Sequence, residues 1–541
     1  MSNLINLEDA SKWGTKFIDK KVKPSNISYL IQYGRIKEYK KNGQIMVSLN
    51  ELRRYYKKNH KSREDLWKAK LGDDLNWHLS FDKLREKDTT KHVHRLHQYK
   101  GKFIPQLVEY FIDDHTDEFK KNVYFRKGDI ILDPFCGSGT TLIQANELGL
   151  DSIGVDISRF NCLISECKIK KYNINKLKQT ISYLNDALNN KTTVLFNDPI
   201  FDSDEQYNEH RVILKFENEL YNKMNEFNHK YFPNKEYKYK VNQGEIDEKE
   251  YSDEKEKQFL KIYKKLIKKY EITPYSNSNN TFLDKWFMDN IKNEMLLLKK
   301  YIKKTEHNGI KELLKIVLSK TIRSCRATTH YNLAHLKSPQ TKPYYCKKHN
   351  KICKPLYTLK NKFRRYAKNT VKRIEKFECL RTNANYSIIQ GDSRELNIFK
   401  EVKKSNKDFY NKLKKQKIRG IFTSPPYVGQ INYHEQHAYA YELLDFKRQD
   451  NKEIGPKFDG KSKKAKKQYS EGIINVLTNC QKFLADKHDI FIVANDKHNL
   501  YPEIFKNAKM KIINKFRRPV LNRTSRDRNP YSESIFHVRA K

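Results

Sequence analysis

Two short strings in this chain carry residue types and spacings suited to chemistry, and a third carries metal-binding side chains. Asp133-Pro-Phe-Cys-Gly-Ser-Gly-Thr-Thr141 places Gly137 and Gly139 where a loop feeds a helix. With no Cβ in the way, backbone N–H groups at a helix start approach a ligand closely. No Gly-Lys-Ser/Thr follows, so this is not a Walker loop, and it lacks the full Gly-x-Gly-x-x-Gly of dinucleotide enzymes. Nineteen residues after Gly137 stands Asp156, an acid at the end of a second strand, placed to take both hydroxyls of a ribose. Thr423-Ser-Pro-Pro-Tyr427 follows another apolar run; its prolines fix φ and withdraw competing donors beside the Ser424 hydroxyl, and Tyr427 adds a ring. Alone, such a tetrapeptide reads as an ordinary turn. The third string, Cys346-Lys-Lys-His-Asn-Lys-Ile-Cys353, has Cys-x2-His-x3-Cys spacing with Cys325 upstream. Cys325, Cys346, His349 and Cys353 are therefore expected to hold a structural zinc, with His330 and His335 as competing ligands.

These residues need elements to position them. Gly128–Pro134 is predicted as a buried strand, Thr140–Leu148 as a helix and Ser152–Asp156 as a second strand. Similar apolar runs recur at Tyr386–Asp392, Ile418–Thr423 and Asp489–Ala494. Strands alternating with helices predict an α/β fold with a doubly wound parallel sheet. The first sixty residues read as helix (Leu7–Trp13), helix (Ser25–Gly34), hairpin about Asn42-Gly43, and helix from a Ser48/Glu51 capping box. That layout resembles a winged or MerR-type helix-turn-helix; the plain reading is a helical cap. The expected boundaries are 1–65 for this module, 66–170 and 381–541 for the two halves of the catalytic domain, and 171–380 for a large, mostly helical insert. Within the insert, 201–260 carries 15 Asp/Glu against 10 Lys/Arg, whereas 341–376 carries 13 Lys/Arg and one acid, interleaved with Tyr344, Tyr345, Tyr357, Phe363 and Tyr366. The basic stretch suits phosphate contact and base stacking; its plain reading is a solvated helix face. Lys447–Lys467 is expected to be a loop, and Arg517–Arg528 a basic hairpin against phosphates.

Tyr99-Lys-Gly-Lys-Phe-Ile-Pro-Gln-Leu-Val108, the Asp133–Thr141 loop and Ser424–Tyr427 together resemble the amino-methylating DNA methyltransferases, over roughly 85–170 and 380–541. The resemblance implies a class I methyltransferase fold, Rossmann-like, that binds S-adenosylmethionine. Carried over residue by residue, Asp133, Cys136, Gly137 and Gly139 line the methionine end, Asp156 takes the ribose, and Asp392 approaches the adenine. Lys102, Phe103 and Pro105 stand near the cofactor, and Phe135 packs on it or in the core. Ser424, Pro425, Pro426 and Tyr427 form the catalytic pocket for a base flipped out of double-stranded DNA. An exocyclic amine is a poor nucleophile because its lone pair is delocalised into the ring. The Ser424 hydroxyl and Pro425 carbonyl, accepting its two N–H bonds, favour a pyramidal nitrogen, and transfer is then a direct displacement. A Ser-first tetrapeptide is typical of cytosine N4, an Asp or Asn of adenine N6. Cytosine C5 is disfavoured, because it needs a thiolate after proline and no Pro-Cys occurs. Tyr433, His434, Glu435 and His437 follow closely and are expected to shape the base pocket. The motif order resembles the α arrangement, although the glycine-loop wording is β-like and the insert falls before the third strand.

Composition supports this partner. The 541 residues hold 109 Lys+Arg against 65 Asp+Glu, a formal charge of +44, and such a balance favours a polyanion through counterion release. Biased composition, rich in Lys, Asn, Ile and Tyr, accounts for part of it. Aromatics at 12% argue against global disorder. No run approaches about 18 apolar residues, no signal peptide opens the chain, and eight scattered cysteines suit a reducing compartment, so a cytoplasmic location with no membrane contact is expected. The expected activity is sequence-specific methylation paired with a cognate restriction endonuclease. With cytosine N4 favoured, its rivals are adenine-N6 modification, an RNA methyltransferase and a DNA-binding regulator with a vestigial enzyme domain.

Overall fold

A computed structural model describes residues 4–19, 21–59, 63–81, 84, 86–99, 101–189, 204–273, 275, 281–330, 338–354, 359–521 and 531–541. Contacts divide the chain into two compact units: Met1–Ser62, Lys191–Glu294 and Ser324–Thr358 form one, Arg63–Asn190, Met295–Arg323 and Leu359–Lys541 the other.

In the first unit, helices Leu7–Ile18, Pro24–Gln32 and Leu49–Asn59 enclose Ala10, Ile27, Ile31, Val47 and Leu52 with a three-stranded antiparallel sheet. Helix, helix, hairpin, helix is the order expected. Asn42 and Gly43 both take positive φ (50° and 75°), as a tight two-residue turn requires. The capping box forms only by half: Ser48 Oγ receives the Glu51 N–H, while the Glu51 carboxylate instead accepts from the Lys37 N–H at 2.8 Å and the Tyr39 hydroxyl. The acidic stretch folds as helices Asp204–Tyr231, Asn234–Gln243 and Glu248–Tyr270 over Phe216, Leu220, Phe227, Phe259 and Tyr263.

The second unit is built on seven strands: β1 (Ile130–Asp133), β2 (Asp151–Asp156), β3 (Tyr386–Gln390), β4 (Ile418–Thr423), β5 (Leu484–Ala494), β6 (Met510–Val520) and β7 (Tyr531–Ala540). Their order is 3-2-1-4-5-7-6, with β7 antiparallel to both neighbours and the pairs from β3 through β5 parallel. The mixed α/β architecture fits the class I methyltransferase fold implied by the resemblance. Strand alternation sorts the core into two layers. Ile131, Phe422 and Phe491 pack with Leu107 and Phe111 of helix Pro105–Ile112, while Leu132, Ile421, Ile490 and Ile492 pack with Phe409, Ile473 and Leu477 on the opposite face.

The stretch expected as one insert, 171–380, does not fold as one piece. Helix Asn308–Arg323 buries Leu313, Leu314, Val317 and Ile322, helix Leu359–Glu378 buries Phe363, Ala367, Val371, Ile374 and Phe377, and both belong to the unit that holds the sheet. Their continuous apolar faces need a partner, and each packs on the other. The interleaved aromatics are also mostly core rather than a stacking platform. Phe363 is fully buried, Tyr344 is buried, and the Tyr345 hydroxyl meets Tyr237 and Glu248; Tyr357 lies outside the described residues. Of the C-terminal arginines, Arg517 pairs with Asp74 and Arg518 is buried against Glu533 and the Leu79 carbonyl, while 522–530 lie outside the described residues.

Gly420 marks the tightest point of the sheet. A Cβ built there stands 2.0 Å from the Asp489 carbonyl and 2.7 Å from the Phe125 ring. Gly420→Ala is expected to destabilise this unit by about 1–3 kcal/mol or more, by overpacking the strand against the Asp489 carbonyl and the Phe125 ring. Thermal unfolding of the full chain reads this as a lowered midpoint or loss of soluble protein; an unchanged midpoint contradicts it.

Candidate active site

β1 delivers Asp133 to the carboxyl edge of the sheet, and the glycine loop carries the chain from there into helix Thr140–Glu147. The loop closes because Gly137 and Gly139 take φ of 49° and 72°. A Cβ on Gly137 would meet the Tyr99 hydroxyl at 3.0 Å, and one on Gly139 would meet Ser165 Oγ at 2.8 Å. Asp156, ending β2, holds the loop in place. Its carboxylate accepts the N–H of Gly137 and of Ser158, each at 2.8 Å, and Asn161 Nδ2 at 3.1 Å. Burial raises its pKa above the usual carboxylate range while those donors pull it down. Asp133 Oδ1 accepts the Thr423 hydroxyl at 2.6 Å and the Phe135 N–H at 3.2 Å. One hydrogen bond thus joins the end of β1 to the end of β4, where Ser424 begins.

Above these strand ends lies a cavity. Of the residues singled out from sequence, Lys102, Phe103, Asp133, Phe135, Cys136, Gly137, Asp156, Asp392, Ser424 and Pro426 line it. Four do not. Gly139 is the helix N-cap, Pro105 opens helix Pro105–Ile112, Pro425 is buried, and Tyr427 donates its hydroxyl to Glu533 at 2.9 Å. Asp392 holds Arg394 at 2.6–3.1 Å, which with a backbone N–H overcomes its burial and keeps it below the usual carboxylate range. Burial pushes the Cys136 thiol well up, so it is not a thiolate. The lining fits a nucleoside bearing a charged tail: glycine backbone, two aspartates, and the apolar walls of Phe135, Ile157, Ile454 and Val476.

Sequence reasoning missed part of this wall. Tyr99 stands against Gly137 and lines the cavity, and its place just before Lys-Gly-Lys-Phe was the available signal. Lys452, Glu453 and Ile454 come from the segment expected only as a loop. The buried Glu453 carboxylate accepts the N–H of Tyr433 at 3.2 Å and of His434 at 2.7 Å, and also bonds His434 Nδ1. Tyr433 and His434 line the cavity; Glu435 instead pairs with Arg448, and His437 is buried beside His97.

Cations gather beside the cavity. Lys102 Nζ donates to the His94 carbonyl at 2.8 Å, while Lys320 Nζ and Arg373 Nη1 both donate to the Arg95 carbonyl at 2.7 Å. Burial, then the neighbouring positive charges, lowers Lys102 to about 8 and Lys320 to about 6. Near neutral pH Lys320 is therefore largely uncharged, and Arg373 carries the most secure positive charge of the three. In the first unit, the cysteine–histidine group forms with one exchange: the ligand atoms within 4.8 Å of one another belong to His330, Cys346, His349 and Cys353. Cys325, though fully buried, falls outside that group because it closes the turn after helix Asn308–Arg323, ahead of the loop that brings His330 to the hairpin.

Asp133 leaves a signature in stability. Burial raises its carboxyl to about 6 despite its hydrogen bonds. An unfolded Asp titrates near ~3.9, so between the two values the folded state keeps a proton that the unfolded state has released. Stability therefore falls as pH rises through that window, by about 3 kcal/mol in all. Asp133→Asn, which keeps an oxygen for Thr423, is expected to raise the thermal midpoint at neutral pH and flatten its decline between about pH 4 and 6. Calorimetry across that range checks this, and parallel curves for the two proteins contradict it.

Comparison with known proteins agrees with this geometry. A family model described as DNA methylase, covering N6 and N4 enzymes, matches residues 16–167. The type II methyltransferase M.MjaII of Methanocaldococcus jannaschii is 48% identical over 540 residues, spanning 99% of this chain and 97% of that protein. Shorter stretches match the type II methyltransferases M.MvaI of Kocuria varians (32% identity, 24% of this chain, 26% of that one) and M.BsoBI of Geobacillus stearothermophilus (35%, 19% and 19%). With near full-length identity added to a glycine loop, Asp156, and Ser424 and Pro426 of the Ser-Pro-Pro-Tyr turn on one cavity, the chain belongs to the DNA amino-methyltransferases, the S-adenosylmethionine-dependent enzymes of the N4/N6 family.

Proposed function

We propose that this chain methylates N4 of cytosine at a specific site in double-stranded DNA, as the modification half of a restriction–modification pair. The observation that carries the reading is that Ser424 and Pro426 line the same cavity as Gly137 and Asp156. S-adenosylmethionine, when bound, supplies an electrophilic methyl group. The protein's part is placement. Asp156 and the glycine loop hold the ribose side and Asp133 the methionine side, while Phe135, Ile157 and Val476 exclude water. Ser424 Oγ and the Pro425 carbonyl accept the two N–H bonds of the target amine, which leaves its lone pair facing the donor. Tyr427 stands outside the cavity lining and, through its bond to Glu533, fixes the end of the Ser-Pro-Pro-Tyr turn. Arg373, with Lys102 beside it, gives backbone phosphates a landing point, in keeping with the +44 charge. Cys136, the one cysteine among the described residues of the lining, is held protonated by burial, which disfavours covalent C5 chemistry. The type II names of the relatives support the pairing with a cognate endonuclease.

Adenine N6 is the second reading, since a serine hydroxyl serves either amine. Mass spectrometry of nucleosides from DNA of cells expressing the chain is expected to reveal N4-methylcytosine; N6-methyladenine alone would overturn the cytosine assignment. Ser424→Ala is expected to lower turnover by about 100-fold or more while changing S-adenosylmethionine affinity by less than about threefold. Single-turnover kinetics with equilibrium titration separates the two, and wild-type turnover would contradict the assigned role.

A further inference from the structure

We infer that the first unit holds one tetrahedral zinc ion on His330, Cys346, His349 and Cys353, a closed site that fastens a hairpin and takes no part in methyl transfer. The geometry is specific. Strands Tyr344–Cys346 and Lys351–Cys353 pair antiparallel, with Tyr344 opposite Cys353. The turn between them folds back on itself. The His349 and Asn350 N–H groups both bond the Cys346 carbonyl, at 2.9 and 2.7 Å, and Asn350 takes φ of 49°. His349 Nδ1 is thereby brought to 3.6 Å from Cys346 Sγ and 3.5 Å from Cys353 Sγ, while His330 Nδ1 reaches Cys346 Sγ at 3.6 Å from outside the hairpin. Zinc bonds of about 2.3 Å to sulfur and about 2.0–2.1 Å to nitrogen set the S···N edge of a tetrahedron at about 3.6 Å. All three sulfur–nitrogen separations match that edge.

The chemistry of the set agrees. Cys346 and Cys353 are buried, as structural zinc thiolates are, and both are free thiols. Two thiolates and two imidazoles favour zinc over hard, oxygen-seeking cations, and four protein donors leave no position for substrate. The Tyr344 hydroxyl accepts the His330 N–H at 2.7 Å and also touches Nδ1 at 2.8 Å. His330 closes the segment Ser324–His330, which enters this unit from helix Asn308–Arg323. The ion would pin that entry to the hairpin, whose Ile352 packs in the Phe216–Phe259 core.

The test uses the full chain, purified without chelator or metal-affinity resin. Elemental analysis is expected to find about one zinc per chain, and about one again in Cys325→Ser. Cys346→Ser, Cys353→Ser and His330→Ala are each expected to lose it. Because such variants can fail to fold, the wild-type protein is also stripped with chelator and titrated with cobalt(II). Intense visible bands of tetrahedral cobalt, with thiolate charge transfer, and recovery of the thermal midpoint on adding zinc support the site. Metal-free protein that takes up no cobalt overturns it, as does a Cys346–Cys353 disulfide in protein kept reduced, or loss of the metal in Cys325→Ser.

Discussion

The hydrogen bond from the Thr423 hydroxyl to the buried Asp133 carboxylate is the contact on which the active site turns. β1 and β4 are adjacent strands, and each runs into a loop of different character, the glycine loop after Asp133 and the Ser-Pro-Pro-Tyr turn after Thr423. A carboxylate buried at this depth is costly, and three donors do not return it to its ordinary pKa. The acid is kept where stability alone would discard it, which is the mark of a functional position. Because both loops spring from bonded strand ends, the glycine loop and the Ser-Pro-Pro-Tyr turn start at a fixed spacing from each other.

The remaining architecture serves that edge. The parallel order opens a crevice at the carboxyl ends of the strands, where β1 and β4 lie side by side and their connections run in opposite directions. Asp156 fixes the loop by accepting the Gly137 N–H, so the residue expected to face a ribose also fixes the backbone beside it. Glu453 does the same for Tyr433 and His434 by binding their N–H groups. Each acid is both wall and clamp.

How much of this was legible in the sequence varied with the range of the interaction. The strands at Ile130–Asp133, Asp151–Asp156 and Ile418–Thr423 were readable because apolar runs bounded by Gly, Asp and Pro have few other folds, and the N-terminal helix–helix–hairpin–helix order followed from local caps and the Asn42-Gly43 turn. Twelve of the eighteen residues expected around cofactor and base line the cavity, most of them in contiguous strings at strand ends. What stayed hidden was non-local. Nothing near Glu453 announces that its carboxylate closes the site, and nothing near Tyr344 or Phe363 tells a base-stacking ring from a core ring. His330 displaced Cys325 from the metal group because three-dimensional approach, not residue type, decides which side chain reaches the hairpin. The insert divided between two units because the apolar faces of helices Asn308–Arg323 and Leu359–Glu378 outweighed their basic outer faces. Among the described residues, no helix is long and apolar enough to cross a membrane.

The central claim is that one cavity brings donor and target amine together across the joined ends of β1 and β4. A crystal structure of the full chain with a non-reactive analogue of S-adenosylmethionine tests it most directly. The expected result is an analogue in the cavity, its ribose hydroxyls on Asp156, its amino-acid end over the glycine loop, and its methyl position facing Ser424. An analogue bound elsewhere, or one turned so that Ser424 faces its adenine, would contradict it.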